Sequence, residues 1–289
     1  MKFRREFLLL IALIAIFSAS GFLYAGEQPL KSQRWNELGN NKFLKGDMYS
    51  ALDFFKNALE DDRNIDNLAG VAVNLNNIGT VYSRLREYEK AISVFEKSVM
   101  INESLENKDE LAINFNNIGN AYVSLKKFDT ALGYFKKSLD IANSLRDNEL
   151  KAVCYNNMGL FYKSKGSLDK ALNYYNNALE LNKKIDNLKG QATNYNNIAS
   201  IHLSNGKLQE GLTTYFTALD LDKKSDNVLG LAAVLNNIAS TYLRMKDNVN
   251  ALDFYERAYL VNMGMNNKYE TAKVLEKIDN IKGKLQKGN

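Results

Sequence analysis

The chain of 289 residues contains one cysteine, one histidine, one proline and one tryptophan. A single thiol cannot close an internal disulfide, and a single imidazole cannot build a histidine-rich metal site. Beyond Pro29 no residue lacks a backbone donor, so long helices meet no proline. An excess of charge of one sign is also missing: 38 Lys and Arg stand against 33 Asp and Glu, a net +5. Lys2, Arg4 and Arg5 against Glu6 supply two of those five charges, and what is left is too little for a nucleic-acid footprint. No convincing strand is visible, and therefore no glycine loop after a strand to cradle phosphate. What is present is the composition of a foldable chain, 45% hydrophobic and 25% charged.

The first 25 residues read as a unit of their own. A short basic lead, Met1 to Glu6, precedes the apolar run Phe7 to Phe17, then Ser18-Ala19-Ser20-Gly21 and Ala25-Gly26. Charged start, apolar middle and small residues at the exit are the order of a secretory signal, with cleavage expected after Ala25. The competing reading is a retained N-terminal anchor, because no charge occurs from Phe7 to Ala25. Both place the remainder outside the cytoplasm, periplasmic or extracellular, with no other membrane insertion expected.

The rest of the chain repeats itself every 40 residues. Asn76-Asn77-Ile78-Gly79 returns as Asn116-Asn117-Ile118-Gly119, Asn156-Asn157-Met158-Gly159, Asn196-Asn197-Ile198-Ala199 and Asn236-Asn237-Ile238-Ala239, with Asn36-Glu37-Leu38-Gly39 as a worn first copy. Twelve positions after the Gly or Ala comes Ala51, Ala91, Ala131, Ala171, Gly211 or Ala251; four further on comes an aromatic, Phe55, Phe95, Phe135, Tyr175, Tyr215 or Tyr255. Leu75, Ile78, Gly79 and Tyr82 fall at i, i+3, i+4 and i+7, and Ala91, Phe95, Ser98 and Val99 do the same, so each copy predicts two helices. The joint inside a copy reads as short (Arg86-Glu87) and the joint between copies as longer (Ile65-Asp66-Asn67). Six copies cover residues 32–271, leaving 272–289 as a Lys-rich closing segment.

This spacing resembles the tetratricopeptide repeat. Trp35, Leu38, Gly39, Ala51, Phe55 and Ala58 follow its pattern, with Lys42 where Tyr is usual. The 40-residue period is similar to that of the kinesin light chains and Pins-type adaptors, and a lengthened second helix would account for it. The resemblance implies an all-α fold, a right-handed superhelical solenoid of helical hairpins whose first helices line a concave groove.

In that arrangement Asn77, Asn117, Asn157, Asn197 and Asn237 would form a ladder of carboxamides facing the groove. A primary amide offers an acceptor and two donors, which match a peptide backbone whatever its side chains. Asparagine ladders in some members of the resembled family hold the main chain of an extended peptide. Five rungs about 10 Å apart span roughly 40 Å, the reach of roughly 12 extended residues. Asn120, Arg84, Lys163 and Arg244 would flank the ladder, the three cations favouring acidic side chains. The outer residues Asn76, Asn116, Asn156, Asn196 and Asn236 are read as structural, bonding to a neighbouring repeat.

Chemistry beyond binding finds little support. His202 stands where other copies have Tyr and reads as a packing substitute, and Cys154 reads as a partly buried small residue without a base beside it. Asp62 to Asn67 imitates the start of a calcium loop, but Asn67 replaces the required Gly and Val73 the closing Glu. The expectation is an exported, non-enzymatic scaffold with a protein or peptide partner, no cofactor, no metal and no nucleic acid. The alternatives are a self-assembling envelope component and a sensor of a short peptide.

Overall fold

The computed structural model describes residues 31–287. Among them are thirteen α-helices and no strand, joined by twelve three-residue links. The chain divides into two compact units, meeting in sequence at Leu150 and Lys151. The first holds α1 (Lys31–Leu44), α2 (Met48–Asn64), α3 (Leu68–Arg84), α4 (Tyr88–Ser104), α5 (Lys108–Ser124) and α6 (Phe128–Ser144). The second holds nearly all of α7 (Asn148–Ser164), with α8 (Leu168–Lys184), α9 (Leu188–Ser204), α10 (Leu208–Lys224), α11 (Val228–Arg244), α12 (Asn248–Gly264) and α13 (Lys268–Lys287). Within each unit consecutive helices pack on one another, an all-α solenoid of hairpins. The 25-residue signal or anchor lies outside the described residues; within them no helix is long and apolar enough to cross a membrane.

Two sequence expectations change. From α3 to α12 both helices of every pair are 17 residues long, so the 40-residue period does not come from a longer second helix. The links are also equal in length, whether inside or between pairs. In every link the middle residue has positive φ: Gly46, Gly166 and Gly206 near +78°, and nine others from Asp66 (54°) to Asn266 (54°). The next backbone N–H then reaches back five residues, as from Asn67 to the Asp62 carbonyl at 2.8 Å, satisfying helix-end acceptors. The same residue often caps the next helix: Asn67, Asn187 and Asn227 Oδ1 accept from Gly70, Gly190 and Gly230 N–H. The boundary read at residue 272 falls inside α13, which starts at Lys268.

Four hairpins are closed by the glycine-aromatic pair seen in the sequence. Phe55, Phe95, Phe135 and Tyr175 are buried to within 1%. A Cβ on Gly39, Gly79, Gly119 or Gly159 would lie 2.5 to 2.7 Å from the ring atom facing it. No side chain fits there without displacing the ring, so a small residue sets how closely the two helices approach. Around these contacts lies the core, for example Phe43, Leu52, Leu75, Ile78 and Val81 in the first unit. In the second, Leu235, Ile238, Phe254, Val274 and Ile281 serve the same purpose.

Candidate functional site: the first-helix face

First helices of successive pairs also touch: α1 meets α3 and α3 meets α5 in the first unit, and α9 meets α11 in the second. The repeated asparagines lie on these seams. Asn117 Nδ2 donates to Asn76 Oδ1 at 2.8 Å, Asn197 to Asn156 at 2.8 Å and Asn237 to Asn196 at 2.8 Å. Asn77 makes a longer bond to Asn36 at 3.4 Å. In these four copies the inner amide thus bonds the outer amide of the copy before it, 41 residues earlier.

The rungs run on into the interior. Asn76 Oδ1 also accepts from Asn114 at 3.1 Å, and Asn114 Oδ1 accepts from Asn102 at 2.9 Å and from the Ser98 hydroxyl at 3.1 Å. Eighty residues on, Asn156 Oδ1 also accepts from Asn194 at 3.3 Å, and Asn194 Oδ1 from Asn182 at 2.7 Å. All of these amides but the partly exposed Asn156 are buried, and they pair with one another, the condition for burying them at modest cost. The ladder is therefore not a row of amides in open solvent. Asn77 and Asn157 are buried, at 1% and 3% exposure, and only Asn117, Asn197 and Asn237 reach the surface. Those three each spend one N–H on a rung and keep the carbonyl oxygen and the second N–H for a further partner.

The cations are likewise engaged within the fold. The Arg84 guanidinium lies over the Phe43 ring, 5.6 Å from its centre. Arg244 donates to the Leu203 carbonyl at the end of α9 at 2.9 Å, and Lys163 donates to the Ser200 hydroxyl at 2.8 Å. Burial pushes the Lys163 ammonium below its usual range. Arg84, Lys163 and Arg244 thus act first as inter-repeat contacts, because each long side chain reaches the neighbouring first helix. Three separate acidic subsites do not follow from them.

One cleft of about 310 Å³ opens on the first unit's seam. Asn117, Asn120, Ser124, Thr80, Ser83 and Arg84 form its polar wall, with Tyr88 and Phe95 beside them. Three residues singled out from sequence, Asn117, Asn120 and Arg84, are therefore brought together; the others lie elsewhere. Ser83, Tyr88 and Ser124 were not singled out. Ser83 and Ser124 stand three and four residues after Thr80 and Asn120, one helical turn along the same face. The wall offers hydroxyls, carboxamides and one guanidinium, a set suited to hydrogen bonding and without an acid or base poised for proton transfer.

Elsewhere, Cys154 is wholly buried, not partly so. His202 Nδ1 lies 3.4 Å from Glu210. Asp62, read as a failed calcium loop, accepts from Asn67 and Asn74 at 2.8 and 2.6 Å. Among the described residues no three His, Cys, Asp or Glu side chains converge on a point that could hold a metal ion.

The family model for the tetratricopeptide repeat matches residues 33–104, 110–184 and 190–259, well over half of the chain. The chain belongs to the tetratricopeptide repeat family. None of the curated proteins matches this tetratricopeptide chain. Solved structures share its fold at low identity. A Rap protein complexed with Competence and Sporulation Factor is 15% identical, with 91% of this chain and 78% of that one covered at a TM-score of 0.65. The Rap conjugation gene regulator of plasmid pLS20, in complex with the Phr* peptide, is 17% identical, with 97% and 84% covered at 0.61. A thermophilic tetratricopeptide protein of Thermus thermophilus is 20% identical, with 73% and 99% covered at 0.57.

Proposed function

We propose that this chain is an exported, non-enzymatic scaffold that takes an extended segment of a protein partner against its first-helix face. The observation that carries this reading is the cleft between α3 and α5. There the uncommitted oxygen and N–H of Asn117 stand beside Asn120, Ser83, Ser124 and Arg84. Carboxamides and hydroxyls match a peptide main chain, and a cleft of this volume admits a short stretch of it. Similar folds that hold a peptide or a signalling factor support the same reading. Export rests on the basic lead and apolar run of the first 25 residues.

The test is a selection of displayed random 12-residue peptides on the protein without its first 25 residues. Asn120→Ala with Ser124→Ala should lower capture of the selected peptides at least tenfold while the melting temperature stays put. Undiminished capture by the double variant sinks the reading. Mass spectrometry of the protein recovered from its native host, cut after Ala25 or intact, decides between signal and anchor.

A further inference from the structure

Each joint between pairs closes over a buried side chain on the last turn of the second helix. At the α2–α3 joint this is Asp62, 2% exposed, with one carboxylate oxygen accepting from Asn67 at 2.8 Å and the other from Asn74 at 2.6 Å. At the α4–α5 joint Asn102 donates to Asn114 at 2.9 Å, and at the α8–α9 joint Asn182 donates to Asn194 at 2.7 Å. In all three the partner stands 12 residues later, on the next first helix.

The α10–α11 joint breaks this pattern. Asp222 is 3% exposed and accepts from Asn227 Nδ2 at 2.6 Å. The residue 12 later is Val234, 1% exposed, which has nothing to donate. Gly230 keeps the site tight, since a Cβ there would lie 2.3 Å from the Asp222 carboxylate oxygen. Lys189, on α9, is the charged group that faces it and favours the ionised form. On its own helix, Asp220 and Lys224 pair with each other at 2.7 Å on the exposed side. Burial outweighs Asn227 and Lys189 together and pushes the carboxyl up to about 7.

We propose that Asp222 is a proton-operated latch: the α10–α11 joint is closed while its carboxyl is protonated and loosens when it ionises. A neutral acid is content with few partners in a dry site, whereas an ionised one with a single neutral donor is left under-solvated. The sign follows. The folded-state value lies above the unfolded one, so the stabilisation is complete below the ordinary carboxylate range and disappears as pH rises through about 7. The latch holds α11, the helix that carries Asn237 and its rung to Asn196. Opening it would therefore change the first-helix face of the second unit, while the equivalent joint of the first, with both donors in place, stays shut.

The experiment is amide hydrogen exchange on the full protein, read over residues 222–234 with 62–74 as the internal control and corrected for the intrinsic effect of pH. Between about pH 5.5 and about pH 8.5 protection over 222–234 should fall about tenfold or more, while 62–74 keeps its own. Asp222→Asn should remove the step and Val234→Asn, which restores a donor, should shrink it. A step that survives Asp222→Asn, or its absence from the unaltered protein, overturns the latch. If Asp222→Asn does not fold, an undiminished step in Val234→Asn overturns it as well.

Discussion

The two units solve one packing problem with different residues. In the first, Phe55, Phe95 and Phe135 face Gly39, Gly79 and Gly119; in the second, Tyr175 faces Gly159, and Tyr215 and Tyr255 share a core cluster with Ala199 and Ala239. A phenyl ring asks only for room, and glycine supplies it. A tyrosine brings a hydroxyl that must also be accommodated. Tyr255 has Ser240 for this, but the Tyr175 hydroxyl is buried without a hydrogen-bond partner. Burial drives the Tyr215 phenol up to about 12 and that of Tyr175 well above its usual range. At this contact the first unit relies on the shape of ring and glycine, whereas the second adds a hydroxyl, which at Tyr175 is left without a partner.

Four substitutions press on this contrast. The largest effect is expected at Gly79→Val, where the new side chain meets the buried Phe95 ring. Urea unfolding should show a loss of about 3 kcal/mol, and a change under 1 kcal/mol would mean that the ring has room to move. Next is the shared acceptor of each network. Asn76→Ala strands the buried donor of Asn114 and removes the partner of Asn117, whereas Asn156 is partly exposed and water can replace it. We expect a loss of about 2 to 3 kcal/mol for the first and about 1 kcal/mol for the second, and equal losses would contradict the difference in burial. Tyr175→Phe runs the other way: deleting an unpaired hydroxyl should raise stability by about 1 kcal/mol, which a thermal melt can register.

The smallest step tests pH in the first unit. Burial, with Asp109 adding to it, raises the Glu110 carboxyl to about 7. Its folded-state value exceeds the unfolded one, so its stabilisation is present below the usual carboxylate range and is lost as pH climbs through about 7. Glu110→Gln should flatten that part of the stability-pH curve and leave the second unit's response in place.

The fold was legible because its signals are repeated six times and agree. Small residue, aromatic and apolar stripe recur at fixed spacing, and each has one physical job. The site was legible only in part. An Asn-Asn dipeptide does not reveal which amide faces a neighbour, since adjacent helical positions differ by about 100° and the answer depends on the approach of the next first helix. A clue was nonetheless present: a bond between residues 41 apart in a 40-residue repeat requires two neighbouring asparagines in every copy. The partners 12 apart, such as Asn102 with Asn114, gave no such clue, because they join helices whose packing had first to be known. Asn120 was found as the residue just after the repeated glycine, and Arg84 as a cation near the end of a first helix.

The spacing of the rungs has a consequence for how such a gene can change. Removing or duplicating a block of 40 codons within residues 32–271 brings an asparagine donor back opposite an asparagine acceptor. A block of 39 or 41 would set an amide against an isoleucine or against its own kind in the wrong orientation. Chain length is therefore free to evolve in whole steps of one hairpin, and held against drift in between.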